Sequence, residues 1–588
     1  MNPERRKKKK FLLLCLASLF LVLFLRLISL NWSPLFDTTE TRYAGIAQEI
    51  LLQNDWITLK MPALHEPFLA KPPFSFWFIA FCYKLFGFAN EFTARLPNFI
   101  ASVLVLIFTY LIARKFYDKR TALISPLILY SSIWFFIQAG TVDLDMWVCF
   151  TTTAGLWVYL NIEKNKKEFW KKSFWELIFG LIFGFGMLNR GPLSLVLILG
   201  SLFLYAVLTK KLKDLILTNW FLVFGIGFFV AYPWYSAAQE HNPDFYKYFF
   251  IDEHWNRYLK PDYGDRYGSA HHQPKGMSWI FTIGAFMPWS LVLFPFFRQN
   301  FKNIINYKSR QFNSLAFLLS WFIFTPLFFT FAKSILMTYI LSSLPALSII
   351  CARTISLFLH KINTLKEVEI NNIKKNFFVE LLFNMKNSLT LVIIAILVIG
   401  TGLFIYSNSK HYVISLIIKE VSIIGFFILI SLLIYIYKKY SLSKQIHLFL
   451  FISFLGIPIF ISYWYGPLSK SIGEYKSTKQ IILDMKGKVK DFKDYNIFFF
   501  HDNAPYSWYF YMQATLIKQV LTNKEKNFEK NYKQLHEFSD FVYKPDSPQK
   551  VLIIVEQDNL NKLRDLYPNI YNSGLISKAG RYSVYKVV

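Results

Sequence analysis

The chain has 588 residues, 54% of them hydrophobic and 17% charged, with a formal net charge of +28. Apolar runs of about twenty residues recur, each long enough to cross a hydrocarbon core, so the chain is a polytopic membrane protein rather than a soluble one. Its clustered Lys and Arg fall mostly in short loops between those runs. Positive-inside bias and anionic head groups account for them there, and no nucleic-acid partner is implied.

The first element is an apolar run at 11–30, preceded by Arg5, Arg6 and four lysines. It is too long for a signal-peptide core and lacks a small-residue cleavage site, so it is expected to be an anchor with a cytoplasmic N-terminus. Twelve further spans are expected at 96–115, 121–138, 145–162, 173–188, 191–208, 216–234, 279–298, 312–331, 335–355, 388–406, 412–437 and 446–464. The short run 74–88 is read as re-entrant or surface-lying. If it crossed, the basic loop from Arg114 to Arg120 would face outward. Thirteen crossings then place the loops 31–95 and 235–278 and the tail 466–588 on one outer face. The expected organisation is an all-α transmembrane domain over 1–465 and a soluble α/β domain over 466–588. Short strand-like runs, Tyr495 to Phe500, Val551 to Val555 and Tyr582 to Val588, alternate in the tail with amphipathic stretches such as Asn559 to Leu566. The four cysteines, Cys15, Cys82, Cys149 and Cys351, all lie in apolar segments without CxxC spacing and imply neither disulfides nor a zinc cluster.

The residues able to do chemistry concentrate in the outer loops. Asp37-Thr-Thr-Glu40-Thr-Arg42-Tyr43 begins a helical periodicity, with Tyr43, Ala44, Ile46, Ala47, Ile50 and Leu51 on one face. Asp-x-x-Glu before such a run is a capping box, so Asp37 is either a cap or a rigidly held proton acceptor. Arg42, Lys71 and Arg190 are candidate phosphate ligands, by guanidinium fork or ammonium point charge; snorkelling to the interface is the alternative. Pro72 and Pro73 stiffen the backbone after Lys71. Asp143 and Asp145 interrupt apolar sequence, either facing the same cavity as Asp37 or simply solvating a span end. The loop 235–278 carries Glu253-His254, Arg257-Tyr258, Gly264-Asp265-Arg266-Tyr267 and His271-His272. Paired histidines with nearby acids allow a divalent metal, although adjacent ligands in one loop rarely share an ion.

Taken in order, these pieces resemble the bacterial members of the protein O-mannosyltransferase superfamily, the GT-C fold, and in particular the aminoarabinose transferases of lipid A. The matching pieces are Glu40-Thr-Arg42-Tyr43-Ala44 with Asn54-Asp55-Trp56, Lys71-Pro72-Pro73 with Trp77, Asp145, Arg190-Gly191-Pro192 and Pro233-Trp234-Tyr235. They continue with Glu253-His254, Arg257-Tyr258, Gly264-Asp265, Tyr267-Gly268 and His271, then Lys333, Tyr339 and Pro345, and so cover roughly 30–350. Three positions depart from the family pattern. Thr39 stands where the motif has its Asp, with Asp37 as the replacement; Ala70 stands before the lysine in place of Glu; and Arg190 replaces a lysine.

The resemblance implies an inverting transfer of a sugar, expected to be an amino sugar, from undecaprenyl phosphate to lipid A or a related envelope acceptor. The site would lie on the periplasmic face of the bacterial inner membrane. It implies catalytic roles for Asp37, Glu40 and Asp145, and phosphate binding by Arg42, Lys71, Arg190, Arg266 and Lys333. Substrate contacts fall to Tyr43, Tyr267, His271 and Tyr339. A protein or surface-glycan acceptor, or transport of a lipid-linked sugar, is the alternative. Few polar groups sit near mid-span, Lys419 and Glu420 being exceptions, which weighs against transport.

Overall fold

In the computed structural model, residues 3–62, 66–259, 273–290, 293, 310–332, 334–364, 473–489, 495–500, 504–521 and 550–587 are described. The apolar runs among them are helices: α1 (Pro3–Ser29), α4 (Glu91–Phe116), α7 (Asp145–Lys164), α8 (Phe169–Arg190), α9 (Leu193–Thr209), α11 (Trp220–His241), α14 (Arg310–Thr330) and α15 (Leu344–Thr364). Between these lie α2 (Thr39–Gln53), α3 (Phe74–Phe86), α5 (Lys119–Tyr130), α6 (Ile133–Gln138), α10 (Leu212–Ile216), α12 (Arg257–Leu259) and α13 (Met277–Ala285). Local chemistry sets several boundaries. Asn90 and Thr93 form a reciprocal capping box at the start of α4, and Asp118 caps α5.

Five of the described segments, Phe11–Ser29, Glu91–Phe116, Trp220–His241, Phe312–Thr330 and Met337–Leu357, are long and apolar enough to cross a membrane. Phe20, Trp170, Phe221 and Phe229 are more than two-thirds exposed, as lipid-facing rings would be. The expected spans at 388–406, 412–437 and 446–464 lie outside the described residues. Three other spans differ from expectation. Within 279–298, α13 ends at Ala285 and a turn follows. The segment 121–138 is broken into α5 and α6, because the hydroxyls of Ser131 and Ser132 turn back to the carbonyls of Leu127 and Leu129 and compete with the helix. The segment 335–355 enters through a 3₁₀ turn, Met337–Ser343, before α15 begins. At 13 residues, α3 is shorter than a bilayer crossing requires.

Close helix contact needs small residues where lipid supplies no hydrophobic drive. Gly180 and Gly184, one turn apart on α8, meet α11 this way. A Cβ at Gly180 would lie 2.7 Å from Ile226 Cβ and from the Val223 carbonyl, and one at Gly184 would collide with Val230.

The C-terminal segments form one mixed sheet in the order β1-β2-β4-β3, with β1 (Asn496–Phe499) parallel to β2 (Val551–Glu556). The hairpin of β3 (Leu575–Ala579) and β4 (Tyr582–Val587) completes it antiparallel. Helices α16 (Lys479–Lys488), α17 (Tyr506–Leu521), α18 (Leu560–Leu566) and α19 (Pro568–Ser573) accompany the sheet. α17 is one joint to the rest of the protein. Phe510 and Ile517 bury against the apolar face of α2, Gln48 donates to the Phe510 carbonyl, and Gln513 donates to Glu49.

Gly184→Val should wedge α8 from α11 and cost about 1–3 kcal/mol. Thermal unfolding in detergent would show it as a lowered midpoint, with Gly225→Val as the control, since no neighbour among the described residues lies within 4 Å of a Cβ there.

Candidate functional site

The start of α2 is fixed by a buried ion pair. Arg95 Nε and Nη2 donate to the two carboxylate oxygens of Glu40 at 3.0 and 2.8 Å, with both side chains almost fully buried. The same guanidinium donates to the carbonyls of Leu30, Ser33 and Pro34, and Glu40 also accepts from the amides of Phe36 and Val142. Glu40 is thus occupied as a structural anchor, because its oxygens are consumed by Arg95 and two backbone amides. The capping-box expectation is corrected as well. Thr38, at the N-cap of α2, makes no side-chain cap. Asp37 instead accepts from the Thr41 hydroxyl at 2.6 Å and from Ser507 of α17, through its amide at 2.9 Å and its hydroxyl at 2.5 Å. Burial raises the Asp37 carboxyl above its usual range, against those hydrogen bonds and the nearby Arg581.

A second centre gathers residues from five distant segments. Lys71 lies just ahead of α3 and donates to Glu253 Oε2 at 2.9 Å. Glu253 belongs to a π-helix, Lys247–Asn256, an uncommon geometry that often marks functional sites. Arg257 Nη1 donates to the same Glu253 oxygen at 3.0 Å, and its Nη2 donates to Tyr339 Oη at 3.1 Å. Arg190 closes the group. It pairs with Asp145 and lies with Cζ 4.7 Å from the Tyr339 ring centroid. Asp145 begins α7 and Arg190 ends α8, so each charge also complements its helix dipole. Gly191 follows at φ +66°, and a Cβ there would meet Phe249 at 2.7 Å and His254 Nε2 at 3.0 Å, so the π-helix can rest directly on this turn. His254 Nδ1 faces the Phe249 carbonyl at 2.7 Å.

Charge regulation in this centre is mutual. Burial pulls Lys71 down to about 8, opposed by Glu253 and assisted by Arg257 and Arg190. Burial raises the Glu253 carboxyl, but Lys71 and Arg257 outweigh it and hold the group below its usual range.

Arg42 and Tyr43 lie on α2, between the acidic start and this cluster. The Arg42 guanidinium lies 5.3 Å from the Tyr43 ring, 6.0 Å from Phe68 and 5.9 Å from Tyr506. Its buried Nε has no hydrogen-bond partner among the described residues. Tyr43 is near enough to Arg257 to influence its charge. The intervening loop is shaped by Asn54, left-handed at φ +50°, and by Asp55, which accepts the amides of Ile57 and Thr58. The carbonyls of Trp56 and Ile57 accept the indole N–H groups of Trp77 and Trp234, which ties the loop to α3 and α11.

Asp143 anchors the first turn of α7 by accepting the Asp145 and Met146 amides and the Asn98 side chain, while its Oδ2 has no partner among the described residues. Burial raises its carboxyl to about 7. Among the described residues no three His, Cys, Asp or Glu side chains are grouped to hold a metal. Arg266, Tyr267, His271 and Lys333 lie outside the described residues. Arg95 and Ser507 had no local signature, whereas Glu253 and Arg257 carry one in their i, i+4 spacing.

Residues 70–236 match the family described as dolichyl-phosphate-mannose-protein mannosyltransferase. An undecaprenyl phosphate-alpha-4-amino-4-deoxy-L-arabinose arabinosyl transferase of Pseudomonas fluorescens is 30% identical over 56% of this chain and 57% of its own length. The corresponding transferase of Yersinia enterocolitica is 27% identical over 67% of each chain. The crystal structure of ArnT from Cupriavidus metallidurans bound to undecaprenyl phosphate superposes with a TM-score of 0.72 at 19% identity, over 97% of this chain and 98% of that one.

Arg95→Ala would strand the buried Glu40 carboxylate and should cost about 3–5 kcal/mol, far more than Lys171→Ala at the exposed Glu168 pair. Thermal unfolding of the two variants would rank them. For Lys71, an incoming phosphate favours the ammonium, so above about pH 8 binding must take up a proton. Affinity for a prenyl phosphate probe, measured by titration across pH, should be level below that point. Above it, affinity should fall by up to about tenfold per unit.

Proposed function

We propose that this chain, similar in sequence and fold to the GT-C transferases of the aminoarabinose type, is an integral-membrane inverting glycosyltransferase. It would move a sugar, expected to be an amino sugar, from undecaprenyl phosphate to lipid A or a related envelope acceptor. The observation that carries the proposal is the convergence of Lys71, Arg190 and Arg257 around Glu253, Asp145 and Tyr339. These are cations suited to a phosphate, held in place without one by two carboxylates. An apolar cavity of about 390 Å³ supports it. The cavity is lined by Phe183, Met187, Phe224, Phe228, Tyr235 and Phe250, and Phe250 belongs to the π-helix that carries Glu253. An isoprenoid chain suits such a lining.

In the proposed reaction an acceptor oxygen attacks the anomeric carbon from the face opposite the phosphate. The carbon–oxygen bond to the phosphate breaks, and undecaprenyl phosphate leaves. Asp37 orients the acceptor and takes its proton if it arrives as a hydroxyl; an ionised phosphate acceptor needs only orientation. Lys71 and Arg190, with Arg257, neutralise charge on the departing phosphate, and Arg42 and Tyr43 flank the acceptor side. Arg266 and Lys333 are proposed as further phosphate ligands, and Tyr267, His271 and Tyr339 as substrate contacts. The site belongs on the periplasmic face of the inner membrane, in a transmembrane domain of residues 1–465, with 466–588 as a periplasmic domain.

A protein acceptor is the second reading, favoured by the match of residues 70–236 to a protein mannosyltransferase family. Mass spectrometry of lipid A from a deletion strain, complemented with wild type, Asp37→Asn or Lys71→Ala, tests the proposal. A sugar-sized adduct should vanish on deletion and return with wild type. In purified protein Lys71→Ala should lower turnover by about two to three orders of magnitude. Unchanged lipid A in every strain would overturn the lipid A acceptor and direct the search to glycoproteins.

A further inference from the structure

Three consecutive residues at the start of α17 have three destinations. The Tyr506 ring lies 5.9 Å from the Arg42 guanidinium, Ser507 binds Asp37, and Trp508 is buried in the core of the C-terminal sheet. Ser507 is itself fully buried and held from behind. Its Oγ accepts the Thr478 amide at 3.0 Å and lies 3.1 Å from the Thr478 hydroxyl, so its own proton is directed at Asp37 Oδ2. A carboxylate offers about four acceptor directions. At Asp37, Oδ1 takes the Thr41 hydroxyl and the Ser507 amide, and Oδ2 takes the Ser507 hydroxyl. Among the described residues, one direction, on Oδ2, is left for a substrate.

We infer that Ser507 is a positioning residue for Asp37, locking the carboxylate so that its one remaining lone pair faces the acceptor. The C-terminal unit thereby completes the site that the first loop begins. The inference rests on the proposed role of Asp37 as the acceptor's orienting group and base. The charged and titratable groups facing Asp37 from the packed elements are Arg581, which also pairs with Glu556, and Tyr582 at the start of β4. Neither donates a hydrogen bond to the carboxylate among the described residues. Thr41 holds Oδ1, and among the described residues the hydroxyl of Ser507 is the contact on Oδ2, the oxygen left open to the acceptor.

A hydrogen bond to the ionised carboxylate lowers its pKa, so removing it moves the acidic limb of the rate profile to higher pH. Sugar transfer by full-length Ser507→Ala, measured across pH in detergent, should show that limb raised by about one unit. Turnover below the limb should fall about tenfold, with the KM for the prenyl-phosphate donor unchanged. Ser507→Thr, which keeps the hydroxyl, should restore the wild-type profile. An unmoved acidic limb in Ser507→Ala overturns the inference, as does failure of Ser507→Thr to restore it at wild-type thermal stability. Should Ser507→Ala not fold, Thr478→Val decides: a smaller shift in the same direction supports the relay, and an unshifted profile overturns it. Absence of transfer by wild type would remove the underlying function as well, whereas an active wild type with an indifferent Ser507→Ala removes this inference alone.

Discussion

The bidentate pair between Glu40 and Arg95 is the constraint on which the rest of the site depends. It ties the first turn of α2 to the first turn of α4, and through further bonds it fixes the backbone at Leu30, Ser33, Pro34 and Val142. A buried ion pair is seldom a large source of net stability, since desolvation consumes most of its Coulomb energy. What it supplies here is a unique docking of α2. Arg42 and Tyr43 lie on that helix and Asp37 just ahead of it, and none can reach its neighbours unless the helix is set at one depth and rotation.

A similar economy governs the second centre. Glu253 is shared by Lys71 and Arg257, and Asp145 is given to Arg190. The π-helix supplies Glu253, the sharp turn at Gly191 lets that helix settle on the end of α8, and Tyr339 touches both guanidinium groups. Five chain segments that contribute one or two side chains each must all be in place before the group exists. The packing of α8 on α11 through glycines is thus as much a requirement of the site as any charged residue.

Much of this was legible in the sequence, and what was not has physical causes. The long apolar runs mark α4, α7, α8, α9 and α11 because bilayer thickness demands continuous hydrophobicity. The break between α5 and α6 was hidden, since two serines in an apolar run look harmless until their hydroxyls turn back on the helix carbonyls. In the C-terminal unit β1, β2 and β4 carry clear apolar runs, while β3, with Ser577 and Lys578 at its centre, does not. Asp145 and Arg190 each stood out as a charge in apolar sequence, but nothing local said they meet. Glu40 looked chemical because its partner lies 55 residues on, at the mouth of an apolar helix. Ser507, 470 residues from Asp37, is an unremarkable serine until the sheet places it.

The charge count at the second centre carries a consequence for turnover. Three cations, Lys71, Arg190 and Arg257, stand against two carboxylates, Glu253 and Asp145, leaving a surplus of one. A phosphate entering such a group does not fall into a bare electrostatic trap; it competes with resident carboxylates for the same N–H donors. In the proposed reaction, exchange of that kind would weaken the hold on free inorganic phosphate. It would leave most of the retention of a lipid-linked phosphate to its hydrocarbon chain, and would let the spent carrier depart as the carboxylates reclaim the cations.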